Sequence, residues 1–380
     1  MMRIVFNTHI LRQPLTGIGR YTLKLTHALM QLGHEVHGLT VDPRHFYPAA
    51  ARASSRRWIK LAATIPGVRH LQRIRLQKYL QGYTERWIYH EPNYLPLNFS
   101  GPTVITVHDL SWIRYPHTHP RARVAYLNRH FPAALQQAAH ILTVSEFTRA
   151  ELMDIFALPA SRISVTPLGV DREHYHPHSA QTCQAILSQY QLTWHRYILS
   201  VGTLEPRKNL TLAVQAHSLL PRSIQKKYPL VLIGTQGWLK SAFWPVLEKQ
   251  IRQGSVFVLG YVTDHALPCL YSGANALVYP SFYEGFGLPP LEAMACGTPV
   301  ITSTAQALRE VGGNATLTVA ADDPRCLKDR LMMVLEDQTL VESLRCLGLQ
   351  RASHFTWQAC AEKTLHAYRL AQDYHASCLA

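Results

Sequence analysis

The sequence has no long hydrophobic run. None of its apolar stretches approaches the roughly 20 residues that a helix needs to cross a bilayer. Met1, Met2 and Arg3 lead directly into the strand-like residues 4–7, so we expect no secretory signal peptide. These absences predict a cytoplasmic protein that does not span a membrane.

Paired cysteine motifs are also missing. The chain has 7 cysteines, an odd number, and no C-x-x-C spacing of the kind that binds zinc or cycles between thiol and disulfide. Free thiols in a reducing cytosol are the simplest interpretation of these residues.

Common nucleotide-binding motifs are absent too. There is no P-loop ending in G-K-S/T and no complete G-x-G-x-x-G fingerprint, so ordinary ATP or NAD binding has no direct support. No RNP, helix-turn-helix or zinc-finger pattern accompanies the net charge of +14. The charge indicates an anionic partner, such as a phosphorylated metabolite or anionic lipid, and we expect no nucleic-acid binding.

Acidic residues are missing between Asp42 and Glu85, where basic residues are frequent. Segment 52–78 mixes apolar side chains with cations, which are Arg52, Arg56, Arg57, Lys60, Arg69, Arg73, Arg75 and Lys78. This pattern is typical of a basic amphipathic segment on an anionic membrane surface, and equally of a solvated helical face. Both interpretations stay open.

What the sequence does contain is a repeated alternation of strand-like and helix-like segments. Short, β-branched apolar runs occur in the first half at residues 3–8, 35–40, 102–109, 140–145 and 163–169. The pattern restarts at residues 196–202, 229–234, 256–262, 274–280, 298–303 and 315–319. Such alternation predicts βαβ units around a parallel sheet in each half of the chain.

We therefore expect an α/β protein with two Rossmann-like domains facing a central cleft. The first domain would cover residues 1–170, a linker 171–194, and the second domain 195–356. The helical pattern at 357–380 has no strand after it and is expected to pack back toward the first domain. Ligands of open α/β sheets bind at the carboxyl ends of the strands, so the candidate residues are sought there.

Three loops at such positions carry polar or glycine-rich motifs. Gly17 and Gly19 precede a crossover helix, where backbone N–H groups can bind a phosphate or sugar, although a tight turn explains them as well. His108 ends the strand at 102–109, and a structural histidine is the alternative there. Arg207 and Lys208 follow a strand of the second half and suit a diphosphate, Arg as a bidentate donor and Lys as a point charge.

The most specific pattern runs from Glu284 to Glu292, directly after a strand. Two carboxylates flank a glycine-rich turn, and Pro290 is placed to begin a helix. The N–H groups of the turn would hold an anion, and the carboxylates could bind hydroxyls of two different sugars. Metal binding is the competing use, but no histidine or third carboxylate clusters nearby in the sequence.

With these motifs the chain resembles the retaining glycosyltransferase family 4, whose members have two Rossmann-like domains in the arrangement called GT-B. The pair Glu284 and Glu292 matches the family's E-x7-E signature in the context S-F-Y-E-G-F-G-L-P-P-L-E. Segments T-G-I-G-R-Y, V-H-D, P-L-G-V-D and G-T-L-E-P-R-K-N extend the resemblance over nearly the whole chain. Thr203 departs from the family, because many relatives have arginine at that position.

The resemblance implies that the domain at residues 1–170 binds the acceptor, that the domain at 195–356 binds the nucleotide-sugar donor, and that each matching residue has a role. Glu284 would contact the donor sugar and Glu292 the nucleotide ribose, while Arg207 and Lys208 would neutralise the diphosphate. Further contacts would come from Gly17, Gly19, His108, Thr203, Gly285, Phe286, Gly287 and Leu288. The implied catalytic residues are Glu284, His108, Arg207 and Lys208, with no metal ion and no other cofactor.

The resemblance also points to bacterial mannosyltransferases of O-antigen or other surface-polysaccharide synthesis. The donor would be GDP-linked mannose or deoxymannose, and the acceptor a lipid-linked oligosaccharide at the inner face of the plasma membrane. Two alternatives remain: a nucleotide-sugar epimerase of similar fold, and a non-catalytic subunit that binds nucleotide sugars. The epimerase would convert the donor without releasing free nucleoside diphosphate.

Overall fold

The computed structural model describes residues 1–12, 15, 17–45, 68–235 and 243–379. Arg52, Arg56, Arg57 and Lys60 of the basic segment lie outside the described residues. The remaining predicted cations of that segment lie on a helix at its end, and all predicted site residues are described.

The strands of the described chain are short and rich in Ile, Leu and Val. Continuous apolar runs of this kind are typical of parallel strands that are covered on both faces. The strands are β1 Arg3–Phe6, β2 Glu35–Gly38, β3 Ile88–Glu91, β4 Thr103–Val107, β5 His140–Thr143, β6 Ile163–Val165, β7 Ile198–Val201, β8 Leu230–Ile233, β9 Val256–Gly260, β10 Ala276–Tyr279, β11 Val300–Ser303 and β12 Thr316–Val319.

Helices connect these strands along the chain. The α-helices are α1 Gly17–Gln31, α2 Val68–Leu80, α3 Ser111–Arg114, α4 Arg121–Gln137, α5 Glu146–Phe156, α6 Ala180–Gln189, α7 Leu210–Ser218, α8 Arg222–Lys227, α9 Phe243–Arg252, α10 Leu267–Ser272, α11 Leu288–Ala295, α12 Gln306–Gly312, α13 Pro324–Glu336, α14 Gln338–Ser353 and α15 Trp357–Leu379. Short 3-10 helices cover His9–Arg12, Pro43–His45, Pro116–Thr118, Ala160–Arg162, Pro206–Lys208 and Gly313–Ala315. Within the described ranges, no helix combines the length and the apolar character needed to cross a membrane.

The strands form two six-stranded sheets in which every pairing is parallel. The first sheet has the order β2-β1-β3-β4-β5-β6, and the second the order β12-β11-β10-β7-β8-β9. In the first sheet Val5 pairs with Tyr89, and in the second Ile198 pairs with Ala276. The doubled parallel sheet agrees with the fold class that the alternating sequence pattern predicts.

The chain divides into two compact units, each containing one sheet. Unit 1 comprises the described residues of Met1–Leu110, Ala122–Gly169 and Trp357–Ala380, and unit 2 comprises those of Ser111–Arg121 and Val170–Thr356. In unit 1, Tyr368 of α15 is hydrogen-bonded through its hydroxyl to Nδ1 of His90 on β3, at 2.6 Å. This buried contact attaches the last helix of the chain to the first sheet.

The structure differs from the predicted domain boundaries at two places. Residues 171–194 do not form a separate linker but belong to unit 2, where α6 packs against α10. The physical reason is an apolar face on α6, on which Cys183 and Leu187 are one helical turn apart and buried. Residues 111–121 also belong to unit 2, although the sequence pattern places them in the first domain.

Strand β3 is absent from the strands predicted from the sequence. Its residues Ile88, Tyr89, His90 and Glu91 are all buried, although the last two are polar. Histidine and glutamate at the end of so short a run hide its strand character, because their burial requires hydrogen-bond partners on distant segments.

The loops after β7 and β8 approach each other at backbone distance. Gly234 follows β8 with a φ of +151°, and a Cβ atom at this position would overlap the carbonyl oxygen of Gly202 after β7. The Gly234 N–H donates to the carbonyl of Gly260 at 2.8 Å. Only glycine fits this conformation and this contact together.

Gly234→Ala is expected to lower the free energy of unfolding by about 3 kcal/mol, because the backbone must move to relieve both strain and overlap. Gly254→Ala is the matched control: Gly254 also has a positive φ, +69°, but apart from its two chain neighbours no described residue lies within 4 Å of a Cβ there. The control should cost about 1 kcal/mol. Urea denaturation followed by circular dichroism measures both, and equal losses would contradict the steric explanation.

Candidate active site

Unit 2 has a point in its sheet where the strand order reverses, between β7 and β10. From β7 the chain continues to β8 and β9 on one side, whereas β10, β11 and β12 lie on the other. The carboxyl ends of two such strands are the usual ligand site of an open α/β sheet. Loops 202–209 and 280–287 follow these ends and contain the predicted donor residues of the second half except Leu288 and Glu292.

The carboxylate of Glu284 lies between two cations. Its Oε2 accepts a hydrogen bond from Arg207 Nη1 at 3.0 Å, and its Oε1 accepts one from Lys208 Nζ at 2.6 Å. The Tyr279 hydroxyl donates to the same Oε1 at 3.0 Å and accepts from Lys208 Nζ at 2.6 Å. Glu284 is only 7% exposed, and both of its oxygens are paired.

Burial and charge act in opposite directions on the pKa of Glu284. Burial alone would raise the pKa, because the carboxylate loses its hydration. The positive charges of Arg207 and Lys208 outweigh burial and lower the pKa from 4.5 to about 2. Glu284 is therefore ionised at neutral pH.

A second carboxylate balances the charge of this group. Glu205 Oε1 accepts a hydrogen bond from Arg207 Nη2 at 2.7 Å, and Arg207 Nη1 also donates to the carbonyl of Tyr283 at 2.7 Å. The two cations and the two carboxylates, Glu205 and Glu284, sum to a formal charge of zero. These hydrogen bonds fix the orientation of Arg207 and Lys208, but the positive charge of the two side chains does not exceed the negative charge of the two carboxylates.

Further hydrogen bonds join the two loops. The Phe282 N–H donates to the carbonyl of Arg207 at 3.0 Å. Asn209 Nδ2 donates to the carbonyls of Pro280, at 3.1 Å, and Ala321, at 2.7 Å. These contacts to backbone carbonyls hold the two loops against each other and so position the backbone at Arg207 and near Glu284.

Helix α11 begins at Leu288, two residues before the start predicted at Pro290. Gly287 precedes it with a φ of +114°. In the described part of the chain, no carbonyl accepts a hydrogen bond from the N–H groups of Gly285, Phe286, Gly287 and Leu288. These donors at the positive end of a helix can hold an anion. The same part of the chain contains no group of three His, Cys, Asp or Glu side chains arranged to hold a metal ion.

Glu292 and Thr203 make different contacts from those of Glu284. Glu292 lies on α11 and is buried, and its Oε2 accepts a hydrogen bond from the Tyr271 hydroxyl of α10 at 3.0 Å. Thr203 lies in the loop after β7, where its carbonyl accepts from the Glu205 N–H at 2.8 Å. The structure thus joins Arg207, Lys208 and Glu284 directly and holds Glu292 by another partner.

Three predicted site residues belong to unit 1. Gly17 begins α1 and is exposed, whereas Gly19 is buried in its first turn. His108 follows β4, with Nε2 hydrogen-bonded to the carbonyl of Pro92 at 2.9 Å and its ring edge-on to Tyr21, 4.9 Å between centroids. Burial lowers the pKa of His108 below 6.5, so the imidazole is neutral at pH 7.

Glu205 and Tyr279 are not among the site residues predicted from the sequence, although both contact those residues. Glu205 stands in the same segment as Arg207, and Tyr279 is the last residue of β10. The end of β10 and the loop after β7 are positions at which a ligand site is expected. Their partners depend on β7 lying beside β10, which no local pattern reveals.

A buried carboxyl also lies at the reversal point of unit 1, between β1 and β3. Glu91 Oε2 accepts hydrogen bonds from Asn7 Nδ2 at 2.7 Å and from the Tyr89 hydroxyl at 2.8 Å, and Oε1 accepts from the Asn93 N–H at 3.3 Å. Burial raises the pKa of Glu91 to about 7, because the hydrogen bonds and the charge of Arg73 offset only part of the desolvation. Glu91 is not among the residues predicted from the sequence, because its strand β3 is not among the predicted strands.

Two family models match the chain, one in each half. The model described as Glycosyltransferase Family 4 matches residues 15–174, and the model described as Glycosyl transferases group 1 matches residues 192–348. The chain is 38% identical over 383 residues to O-antigen chain mannosyltransferase B of Escherichia coli, which covers 97% of this chain and 100% of that protein.

Solved structures share the fold. Sucrose-phosphate synthase of Thermosynechococcus elongatus has a TM-score of 0.73 at 22% identity, over 97% of this chain and 98% of that chain. HepE of Anabaena, in complex with UDP-glucose, has a TM-score of 0.70 at 16% identity, over 97% of this chain and 100% of that chain. At these identities the likeness concerns the fold alone.

The protonation of Glu91 predicts a pH effect on stability. A carboxyl whose pKa is higher in the folded than in the unfolded chain stabilises the fold fully below pH 4.5, and this stabilisation is lost as the pH rises through about 7. Between pH 5 and pH 8 the wild type should lose of the order of 3 kcal/mol relative to Glu91→Gln. Urea denaturation at both pH values measures this, and a difference that does not change with pH would contradict the assignment.

Proposed function

This chain belongs to glycosyltransferase family 4, and from that premise we propose that it is a retaining mannosyltransferase of O-antigen or related surface-polysaccharide synthesis. Its membership and its two parallel sheets confirm the GT-B fold class and the glycosyltransferase reaction predicted from the motifs. Mannose as the transferred sugar is supported by the name of the relative that is 38% identical.

The observation that carries the proposal is the position of the Glu284 carboxylate between Arg207 and Lys208 at the reversal point of the sheet. An ionised carboxylate accepts hydrogen bonds from sugar hydroxyls, and the adjacent cations bind phosphate oxygens. The N–H groups of residues 285–288 add donors at the same loop. One short segment therefore offers groups for both the sugar and the diphosphate of a nucleotide sugar.

In the proposed reaction the bond between the sugar C1 and the β-phosphate oxygen breaks, and the nucleoside diphosphate leaves with the electron pair. Arg207, Lys208 and the N–H groups of residues 285–288 stabilise the charge that develops on the β-phosphate. The acceptor hydroxyl bonds to C1 on the same face, and its proton passes to the leaving phosphate. This route requires neither a metal ion nor a covalent sugar–enzyme intermediate.

The charges of Arg207 and Lys208 are balanced by those of Glu205 and Glu284, and this balance affects donor binding. A diphosphate must share Arg207 and Lys208 with the carboxylates of Glu205 and Glu284. Contacts between the sugar and Glu284 offset part of this competition, and they are absent when the nucleotide binds without its sugar. We expect GDP-mannose to bind more tightly than GDP for that reason.

We propose a GDP-linked mannose or deoxymannose as the donor, with Glu292 holding the ribose. The guanine base rests on the motif resemblance, whereas Tyr271 supports the role of Glu292 by fixing the direction of its carboxylate. Thermal-shift measurements with GDP, UDP, ADP and their mannose or glucose derivatives would identify the base and the sugar.

We further propose that the acceptor is a lipid-linked oligosaccharide and that α2 contacts the anionic inner leaflet. On α2, Leu76 and Leu80 are buried one turn apart, in a cluster with Val5, Leu39, Tyr89 and Leu97. The remaining described side chains of the helix include the exposed Ile74, Arg75, Lys78 and Tyr79. Cations beside exposed apolar groups suit an anionic membrane surface. The alternative is that this face of α2 is only solvated, and vesicle binding by charge-reversal variants distinguishes the two.

Glu284→Gln is expected to reduce transfer from GDP-mannose by at least about 100-fold, because a neutral amide cannot replace the carboxylate beside two cations. The same variant should bind GDP at least as tightly as the wild type, since Arg207 and Lys208 lose a competitor. Glu292→Gln should instead raise the donor KM, and the exposed Glu173→Gln serves as the control. Released GDP measures turnover, and equal, mild losses in both site variants would contradict the roles of Glu284 and Glu292.

The same assay with EDTA tests the proposed independence from a metal ion. Activity that EDTA abolishes would contradict it.

Charge reversal on α2 tests the membrane proposal. Arg75→Glu with Lys78→Glu should weaken binding to phosphatidylglycerol vesicles by at least about tenfold, because each basic residue near an anionic surface contributes about 1 kcal/mol. Lys226→Glu with Lys227→Glu makes the same change of charge on α8 and should have little effect. Co-sedimentation at fixed ionic strength measures both pairs, and equal binding by the α2 variant and the wild type would favour the solvated face.

A further inference from the structure

Residues 111–121 bring an aromatic ring to the loop that contains Glu284. Tyr115 belongs to unit 2, and its ring lies 6.3 Å from that of Phe282, with the two planes within 22° of parallel. The Tyr283 ring is 5.6 Å from Tyr115 at an angle of 48°. Tyr283 is 4% exposed, but Phe282 is 38% exposed. The three rings thus form one cluster that is buried on one side and open at Phe282.

Hydrogen bonds hold the backbone on both sides of this cluster. The Tyr115 N–H donates to the Ser111 carbonyl at 2.8 Å, and the Tyr115 carbonyl accepts from Thr118 Oγ1 at 2.7 Å. The Phe282 N–H donates to the Arg207 carbonyl at 3.0 Å. An aromatic side chain on a fixed backbone has few conformations to lose, so binding against it carries a small entropic cost.

The exposure of Phe282 contrasts with its neighbours. Ser281 and residues 283–287 are all buried, so Phe282 is the one exposed side chain of this described stretch. Phe282 is therefore an apolar ring at the edge of a polar site, and ligand sites combine aromatic side chains with a small number of polar groups. Phe282 also stands two residues before Glu284, and its backbone is bonded to Arg207. The open ring is therefore continuous with the proposed donor site.

We infer that Phe282, with Tyr115 packed against it, offers a stacking surface for a pyranose ring of the acceptor. A pyranose presents C–H groups on one face and hydroxyls around its edge, so its face packs on an aromatic ring while its hydroxyls meet polar groups. His117 supplies such a group, since it is exposed and its ring lies 6.0 Å from that of Tyr115. This inference rests on the proposed transferase function, in which the nucleotide is assigned to Glu292 on α11, after Glu284 in the chain. The acceptor hydroxyl must approach the sugar that Glu284 holds, so the exposed ring two residues from Glu284 is assigned to the acceptor.

The test compares Phe282→Ala, Phe282→Leu and Phe282→Tyr, with GDP-mannose as donor and a synthetic mannotriose glycoside as acceptor. The Ala and Leu variants should raise the acceptor KM about tenfold, equivalent to about 1.4 kcal/mol, and raise the donor KM less than about twofold. The Tyr variant keeps a ring, and its acceptor KM should stay within about twofold of the wild-type value.

Tyr115→Ala should raise the acceptor KM as Phe282→Ala does. Tyr261→Ala removes an aromatic side chain that is 46% exposed elsewhere in unit 2, and is the matched control.

Several outcomes would overturn the inference. A raised donor KM would assign the ring to the nucleotide, and a Leu variant that equals the wild type would assign it to an aliphatic group such as the lipid of the acceptor. A lowered thermal midpoint with equal losses for both substrates would indicate a structural role. If the wild type releases no GDP, the proposed function fails, and the inference is then tested by NMR titration of the glycoside alone. Equal affinity of wild type and Phe282→Ala for the glycoside would refute it.

Discussion

The ionised carboxylate of Glu284 is the constraint on which the rest of unit 2 depends. Removing a carboxylate from water costs several kcal/mol, and only well-placed opposite charges and hydrogen bonds offset that cost. Arg207 and Lys208 supply the charges from the loop after β7, while Tyr279 supplies a hydroxyl from the end of β10. The ion pairs therefore hold the two loops together at the reversal point of the sheet. Loss of Arg207 or Lys208 would leave part of the buried negative charge uncompensated.

The two units treat a buried carboxyl at the same topological position in different ways. In unit 2, cations lower the pKa of Glu284 to about 2, and the group stays charged. In unit 1, Glu91 is held mainly by neutral donors from Asn7 and Tyr89, and burial raises its pKa to about 7. The first arrangement provides fixed charges that suit phosphate and sugar chemistry. The second one joins the end of β1 to the end of β3 through neutral donors, and the carboxyl becomes fully charged only above pH 7.

The net charge of the whole chain does not predict the charge at the candidate site. The chain carries a formal charge of +14, which favours anionic partners. Yet the cations at the candidate site are matched by Glu205 and Glu284, so the local sum is zero. Oriented N–H groups at the start of α11 then become important for anion binding, because their partial charges are not neutralised by a side chain. The excess positive charge of the chain lies elsewhere, in part on the exposed residues of α2.

The sequence by itself determined the doubled α/β pattern, most of the strands and the segment from Glu284 to Glu292, because periodicity and short motifs are local properties. The tertiary structure decided the partners of these residues. Glu284 meets Arg207, Lys208 and Tyr279 only because β7 lies beside β10, an adjacency set by the order of the whole sheet. The same holds for Glu91, whose strand becomes recognisable only with its partners in place, and for Tyr115, which belongs to unit 2 although it follows strand β4 of unit 1. A local sequence pattern does not specify which distant strands become neighbours in a sheet. The site forms because β7 and β10 are such neighbours.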